Sequence, residues 1–323
     1  MTAAALALLL IGVACAALMG FAIQRGATCM VAAIDEIVSK RTAWRLVAFL
    51  EASLIVAGGI AVAVFFGILK MEPATFPLTG WTLLGGAALG LGAFVTRACV
   101  FGAIARLGSG DWAYALVPAG FFLGCLAVQP ALGSMAPMPI PSRSLLITAA
   151  PIFAAPLVLA GTWRVWLSLE ALRSRRFREY VWAPHVATGV IGLTFVIMLI
   201  AVGPWAYTQL LADLASGMPR NILSRLLLLA ALFTGALTGG WTAGRLRRVR
   251  PNAASVARCL AGGALMGAGS ALVPGSNDGL ILIGLPLLRL HAWVALATMA
   301  ITIYLALKID GRARAMAGKL KLA

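Results

Sequence analysis

Long apolar runs without alternation constrain this chain more than any other feature of its sequence. Many of them approach or exceed the roughly 20 residues that an α-helix needs to cross a bilayer. Strands of a membrane barrel would instead be about ten residues long and would alternate in polarity. Charged residues make up 11% of the 323 residues, whereas a soluble domain carries about a quarter. The sequence therefore predicts an all-α, polytopic protein embedded in a lipid bilayer.

About nine transmembrane helices can be placed on the apolar runs. The N-terminal run lacks a basic region and an Ala-x-Ala cleavage site, so it is expected to be the first span rather than a removable signal peptide. The predicted spans are about 3–23, 46–69, 79–96, 112–133, 145–166, 186–203, 222–243, 256–273 and 291–308.

The basic residues predict the topology of these spans. With the N-terminus outside, 19 of the 26 lysines and arginines fall in cytoplasmic segments, while five fall in outside loops. Cytoplasmic loops of membrane proteins collect basic residues in this way. We therefore expect a multi-pass membrane protein with its N-terminus outside and its C-terminus in the cytoplasm. The same asymmetry explains the net charge of +16 without a nucleic acid partner.

A basic loop at about 163–183 divides the predicted single transmembrane domain, residues 1–323, into two loosely related halves. The halves are about 1–162 and 184–323. Cys29 and Cys99 are 70 residues apart, but no break is visible in the sequence 70 residues before Ser276. The repeat is therefore predicted for the local motifs and not for whole halves.

Three short breaks interrupt the apolar runs, and each has a small polar or thiol side chain at its tip. The tips are Cys29, Cys99 and Ser276, and each follows a glycine by nine residues. Irregular backbone at membrane depth is tolerated where it is buried in protein or lines a cavity, and broken helices mark the binding sites of transporters. We expect the three tips to meet inside the membrane, beside short broken or re-entrant helices, and to line a substrate path.

The two cysteine tips allow two interpretations. As functional groups, Cys29 and Cys99 are weak donors and soft, polarizable acceptors that suit a sulfur-containing anion. As structural groups, they are small residues that let helices pack tightly in a membrane. Their spacing alone does not distinguish these roles.

Two arginines are predicted at membrane depth, where a charge is costly and marks a functional site or an ion pair. Arg25 and Arg97 could attract or orient an anion. Alternatively, they could extend to the interface or pair with Asp35, Glu36 or Asp111.

Residues around the tips could assist binding or could serve structure. Gly26, Gly102 and Gly275 would leave backbone N–H groups free to face an anion. Asn277 and Asp278 could cap a short helix, and Asp278 could alternatively pair with an arginine or carry a proton. No metal or cofactor is expected, because the chain has no Walker loop, dinucleotide fingerprint or HExxH motif.

These motifs resemble the YeeE/YedE family of bacterial inner-membrane proteins, also called the sulfur-transport or thiosulfate-transporter family. The resemblance rests on Gly-Ala-Thr-Cys at 26–29, Arg-Ala-Cys-Val-Phe-Gly at 97–102, and the stretch from Arg258 to Gly267 that leads into Pro-Gly-Ser-Asn-Asp-Gly at 274–279. It implies a helical protein that passes thiosulfate through successive cysteine-lined contacts, two of them at Cys29 and Cys99. The third break departs from the pattern, because Ser276 stands where thiosulfate-importing members have a cysteine.

The favoured function is thus uptake of thiosulfate or a related small sulfur-containing anion, without enzymatic chemistry. A membrane thiol redox enzyme using Cys29 and Cys99, and a structural membrane subunit, remain alternatives. The basic cytoplasmic face is a candidate docking surface for a soluble sulfur-carrier protein of the TusA-like type.

Overall fold

A computed structural model describes residues 2–69, 73–133, 137–140, 144–148, 159–163, 166, 182–217 and 221–320. Most of the predicted span at about 145–166, and nearly all of the basic loop at about 163–183, lie outside the described residues.

The described chain is built from helices. In chain order they are α1 (Ala3–Gly26), α2 (Met30–Lys40), α3 (Trp44–Phe65), α4 (Gly80–Thr96), α5 (Val100–Gly108), a 3₁₀ turn (Trp112–Ala115) leading into α6 (Leu116–Leu132), α7 (Leu145–Thr148), α8 (Pro184–Val202), α9 (Tyr207–Ala215), α10 (Ile222–Thr242), α11 (Ala253–Leu272), α12 (Asn277–Gly279) with a following π turn (Leu280–Gly284), and α13 (Leu290–Leu320).

The helical membrane class is confirmed, and the part of the chain that the structure describes contains slightly fewer candidate spans than the nine predicted. Seven helical segments of the described chain are long and apolar enough to cross a membrane. The bent pair of α11 with α12 and the π turn makes an eighth. Eight of the nine predicted spans coincide with a long helix, and the remaining one is the span at about 145–166.

The packing of the helices repeats between the two halves of the chain. Helix α1 packs against α10, and its counterpart α8 packs in the same way against α3. Helix α6 packs against α11, and α13 packs likewise against α4. The pairs α1–α8 and α4–α11 join each helix to its own counterpart. The described helices of the two halves therefore pack in equivalent pairs, which the spacing of the motifs had not predicted.

Glycines bring the backbones of these helices into direct contact. A Cβ atom at Gly235 of α10 would lie 1.8 Å from the carbonyl oxygen of Ala17 in α1. One at Gly124 of α6 would lie 1.9 Å from the carbonyl oxygen of Ala264 in α11. Small residues drive helix association in membranes by permitting such close approach. The glycine-rich composition thus holds the scaffold that positions the breaks.

Candidate functional site

The first break is a helix end followed at once by a helix start. Helix α1 ends with Ala27 in the left-handed conformation (φ 45°), and the N–H of Thr28 donates to the carbonyl oxygen of Ile23 at 3.1 Å. This is the hydrogen bond of a Schellman motif, which satisfies carbonyls left free at a helix C-terminus. Cys29 is then extended and forms the N-cap of α2.

The second break repeats this geometry. Arg97 takes the left-handed conformation (φ 57°) at the end of α4, and the N–H of Ala98 donates to Ala93 at 3.0 Å. Cys99 is extended and caps α5. Cys29 and Cys99 therefore occupy equivalent places in two copies of one backbone motif, as their spacing predicted.

The two cysteines meet in the interior. The Met30 N–H donates to Cys99 Sγ at 3.1 Å, so the backbone that follows the first tip contacts the thiol of the second. Both are free thiols. A Cβ atom at Gly102 would stand 2.5 Å from Cys29 Sγ, so this glycine makes the space that the Cys29 side chain fills.

A large cavity reaches the first of the two cysteines. Its volume is about 880 Å³, and Cys29, Arg97 and Gly102 are among the residues that line it. Cys29 remains 8% exposed, whereas Cys99 is fully buried. The cavity therefore reaches Cys29, and Cys99 lies behind it, outside the cavity lining. Its other charged lining residues are Asp35, Arg45, Arg106, Arg245, Arg258 and Asp310.

The two arginines predicted at membrane depth have different surroundings. Arg97 is exposed and lines the cavity. Arg25 is 5% exposed; its guanidinium donates to Thr242 Oγ1 at 2.8 Å and lies 5.0 Å from the centre of the Phe21 ring. Arg25 is not among the residues that line the cavity, so the structure brings Arg97, rather than Arg25, to the cysteine pair.

The third break carries oxygen atoms instead of sulfur. The N–H of Gly275 donates to the carbonyl oxygen of Ser270 at 3.1 Å. Ser276, the next residue, is extended and forms the N-cap of α12. Ser276 Oγ lies 2.6 Å from Thr208 Oγ1 and donates to Asp278 Oδ1. Thr208 Oγ1 also donates to Asp278 Oδ1, at 2.6 Å.

Other predicted residues are placed around these tips. Gly26 packs against α8, where a Cβ atom would meet that of Ala187 at 2.3 Å. Gly275 has a φ of +156°, which disfavours a side chain. Asn277 is fully buried, and its amide oxygen and nitrogen have no hydrogen-bond partner among the described residues.

A fourth break, which sequence reasoning missed, lies 70 residues before Ser276. Helix α8 ends at Gly203 (φ 90°), and Ala206 is extended and caps α9. The expectation that no break occupies this position was wrong. The tip carries a methyl group, so a search for thiol or hydroxyl tips passed over it, although the 70-residue spacing pointed to position 206.

One hydrogen bond is common to all four breaks. In each, the carbonyl oxygen of the tip residue accepts the N–H four residues later, which is the first hydrogen bond of the new helix. The acceptors are Cys29, Cys99, Ala206 and Ser276, and the donor–acceptor distances are 3.0, 2.8, 3.3 and 2.8 Å.

Tyr207 connects the breaks of the two halves. Its hydroxyl donates to the Val100 carbonyl oxygen at 3.3 Å, and its ring packs edge-on against Phe233. Tyr207 follows the fourth tip, and Val100 follows the second. This contact therefore joins the oxygen cluster, which consists of Thr208, Ser276 and Asp278, to the cysteine pair. No polar pattern in the sequence indicated Tyr207 or Thr208.

Two comparisons relate this chain to known proteins. A family model described as sulphur transport matches residues 25–305, which include all four tips. The thiosulfate transporter TsuA of Escherichia coli (strain K12) is 23% identical over 345 aligned residues. That alignment covers 93% of this chain and 94% of TsuA.

Proposed function

This chain belongs to the sulphur-transport family, and from that premise we propose that it carries thiosulfate, or a closely related sulfur-containing anion, past Cys29 and Cys99. The similarity to a thiosulfate transporter over nearly the whole of both chains supports this substrate. The observation that carries the proposal is the order of cavity, Cys29 and Cys99.

The thiols offer chemistry that suits the sulfur end of thiosulfate. A thiol is a weak hydrogen-bond donor, and its sulfur is polarizable. The anion would contact Cys29 and then Cys99 without forming a covalent bond. Cys29 and Cys99 are the N-caps of helices α2 and α5, and the positive end of each helix dipole favours negative charge in the same region.

Positive charge in the cavity supports an anionic substrate. Five arginines and only two aspartates of the described chain line it. The arginines are Arg45, Arg97, Arg106, Arg245 and Arg258. A cleft lined by one sign of charge concentrates ions of the opposite sign. Arg97 is the arginine that belongs to the second break itself, and we propose that it helps to draw the anion toward Cys99.

The second half would complete the path. In the proposal the anion also passes Ser276 and Asn277, and the buried Asn277 amide provides donors that have no described partner. The hydroxyl of Ser276 is a stronger donor than a thiol, so it suits the oxygen atoms of thiosulfate better than its terminal sulfur. Gly26, Gly275, Asp278 and Arg25 would support the path through packing and charge.

The proposed setting is the bacterial inner membrane, with the N-terminus outside. Segments predicted to be cytoplasmic, which contain Arg45, Arg106, Arg245 and Asp310, converge on the one cavity. In this topology the first and second halves would run in opposite directions, as in transporters with inverted repeats. A TusA-like sulfur carrier would then receive the sulfur compound at the cavity mouth.

Uptake by purified protein tests this proposal. Proteoliposomes containing the protein should take up ³⁵S-thiosulfate faster than protein-free vesicles, and unlabelled thiosulfate should compete better than sulfate. Equal uptake by the two kinds of vesicle would contradict the proposal.

A thiol redox activity is a second candidate, favoured by the hydrogen bond that joins the backbone beside Cys29 to the Cys99 thiol. It requires Cys29 and Cys99 to form a disulfide or a persulfide during turnover. Mass spectrometry after transport should find both cysteines as free thiols if the protein is a transporter alone. A persulfide or disulfide that appears with turnover would establish the redox reaction.

A further inference from the structure

Asp278 is a buried carboxylate whose partners are neutral groups. It is 3% exposed. Its described hydrogen bonds come from the hydroxyls of Ser276 and Thr208 and from the Gly279 N–H. The arginine partner that the sequence suggested is not among them. An ionised carboxylate in such a place is costly, because burial removes water and no cation replaces it.

The oxygen cluster is spaced for protons rather than for a metal ion. The Thr208 hydroxyl oxygen lies 2.6 Å from both Ser276 Oγ and Asp278 Oδ1. These are separations of direct O–H···O hydrogen bonds. Oxygen ligands stand about 2.3–2.6 Å from a bound ion such as calcium, so an ion between these atoms would force them apart. A proton can join the cluster without moving it.

The charged and titratable groups around α12 do not neutralise Asp278. From α9, Tyr207 faces it, and Cys99 at the start of α5 lies within electrostatic range of the same tyrosine. Further along α9, Asp213 is paired with Arg225 at 2.6 Å.

The buried basic groups at the start of α13, which packs against the π turn, are engaged elsewhere. The Arg289 guanidinium donates to the carbonyl oxygens of Pro73 and Ala74, and His291 packs edge-on against Phe76.

The more distant groups on the other packed helices are engaged as well. On α3, which packs against the π turn, Glu51 is bound to His185 at 2.6 Å. Arg106 of α5 lies at the cavity, over the Tyr114 ring. A proton is thus the positive charge best able to reach the Asp278 carboxyl.

We propose that Asp278 is the site at which a proton joins the transported anion, an inference that rests on the proposed function. An ionised Asp278 repels an anion that reaches Ser276, and a protonated Asp278 does not. The proton comes from water on the face opposite the cavity and binds the second carboxyl oxygen, Oδ2, while Oδ1 keeps its three donors. It leaves to the cavity water after the anion has passed.

Accumulation against a gradient tests this coupling. Vesicles held at zero membrane potential with potassium and valinomycin, with the outside made acidic, should concentrate labelled thiosulfate. Each coupled proton contributes a factor of about ten in accumulation ratio per pH unit. Asp278→Asn should lose this accumulation but still exchange internal for external thiosulfate. The control Asp213→Asn, which alters a carboxylate paired with arginine, should accumulate like the wild type.

The outcomes separate this proposal from the function on which it rests. Wild-type vesicles that exchange thiosulfate without responding to the pH gradient would overturn the proton site alone, as would an Asp278→Asn variant that accumulates normally. Wild-type vesicles that neither exchange nor take up thiosulfate would overturn both. If Asp278→Asn does not reconstitute, a pH dye in weakly buffered wild-type vesicles decides. Thiosulfate entry should acidify the interior, and entry without acidification would contradict the proposal.

Discussion

The two halves of this protein build the same pair of breaks and give them different chemistry. In the first half, the tips are Cys29 and Cys99, and Cys29 lines a cavity of about 880 Å³. In the second half, the tips are Ala206 and Ser276, and the neighbouring polar groups, Thr208 and Asp278, are buried. All four tips nevertheless accept the same first helical hydrogen bond.

This difference shows which part of the site is scaffold and which part is chemistry. The repeated part is backbone, because helix ends and N-caps can be made by many residue types. The varied part is the side chain at the tip, which is soft sulfur on one side and hydroxyl and carboxyl groups on the other. Tyr207 of the second half links the two sides, because its hydroxyl donates a hydrogen bond to the Val100 carbonyl oxygen in the first half.

The largest expected effect comes from filling the space beside the first tip. In Gly102→Ala, the new Cβ would lie 2.5 Å from Cys29 Sγ, so the cysteine must move. Overpacking of this kind costs about 1–3 kcal/mol, and thiosulfate uptake should fall at least about tenfold. Gly80→Ala is the matched control, because a Cβ there meets nothing within 4 Å. Similar uptake by the two variants would mean that the Cys29 position is not critical.

Removing the second thiol should destabilise the first half. Cys99→Ala leaves the buried Met30 N–H without its acceptor, and such a group costs about 1–3 kcal/mol. Cys99→Ser supplies a new acceptor and should lose less stability. Denaturant unfolding in detergent measures the order wild type, serine and alanine. Equal stability of the two variants would contradict the importance of this hydrogen bond.

A thiol at the third tip would make the two halves more alike. In Ser276→Cys, the weaker S–H donor should reduce the hydrogen bonding to Thr208 and Asp278, at a cost of about 0.5–1.5 kcal/mol. Soft anions, such as selenium analogues of thiosulfate, should inhibit thiosulfate uptake by this variant more strongly, relative to sulfate, than they inhibit uptake by the wild type. Unchanged selectivity in uptake assays would indicate that the anion does not contact position 276.

The smallest expected effect concerns the link between the halves. Tyr207→Phe removes the hydroxyl that donates to the Val100 carbonyl at 3.3 Å and keeps the ring against Phe233. The expected loss is about 0.5–1.5 kcal/mol in unfolding free energy. A larger loss than that of Cys99→Ala would show that the link, and not the cysteine pair, holds the breaks together.

Parts of this site could be predicted from sequence because they leave a local pattern. Glycine followed nine residues later by a small polar or thiol residue marked three tips, and apolar length marked the spans. The fourth tip, Ala206, leaves no such pattern, since its equivalence lies in backbone hydrogen bonds. The hydrogen bond between Thr208 and Ser276 joins residues 68 apart in the sequence, and the one between Arg25 and Thr242 joins residues 217 apart. Contacts of this kind depend on tertiary packing, which spacing does not encode.

Uptake of labelled thiosulfate by cysteine-to-serine variants tests the cysteine path most directly. Cys29→Ser and Cys99→Ser replace a soft sulfur by a harder oxygen at the two tips, and each should lower uptake at least about tenfold, equivalent to ~1.4 kcal/mol. Cys125→Ser is the matched control, because that buried thiol donates to the Gly267 carbonyl oxygen away from the cavity and a hydroxyl can do the same. Reduced uptake in the first two variants with normal uptake in the third is the expected result. Uptake that is equal in all three would contradict a path through the cysteine pair.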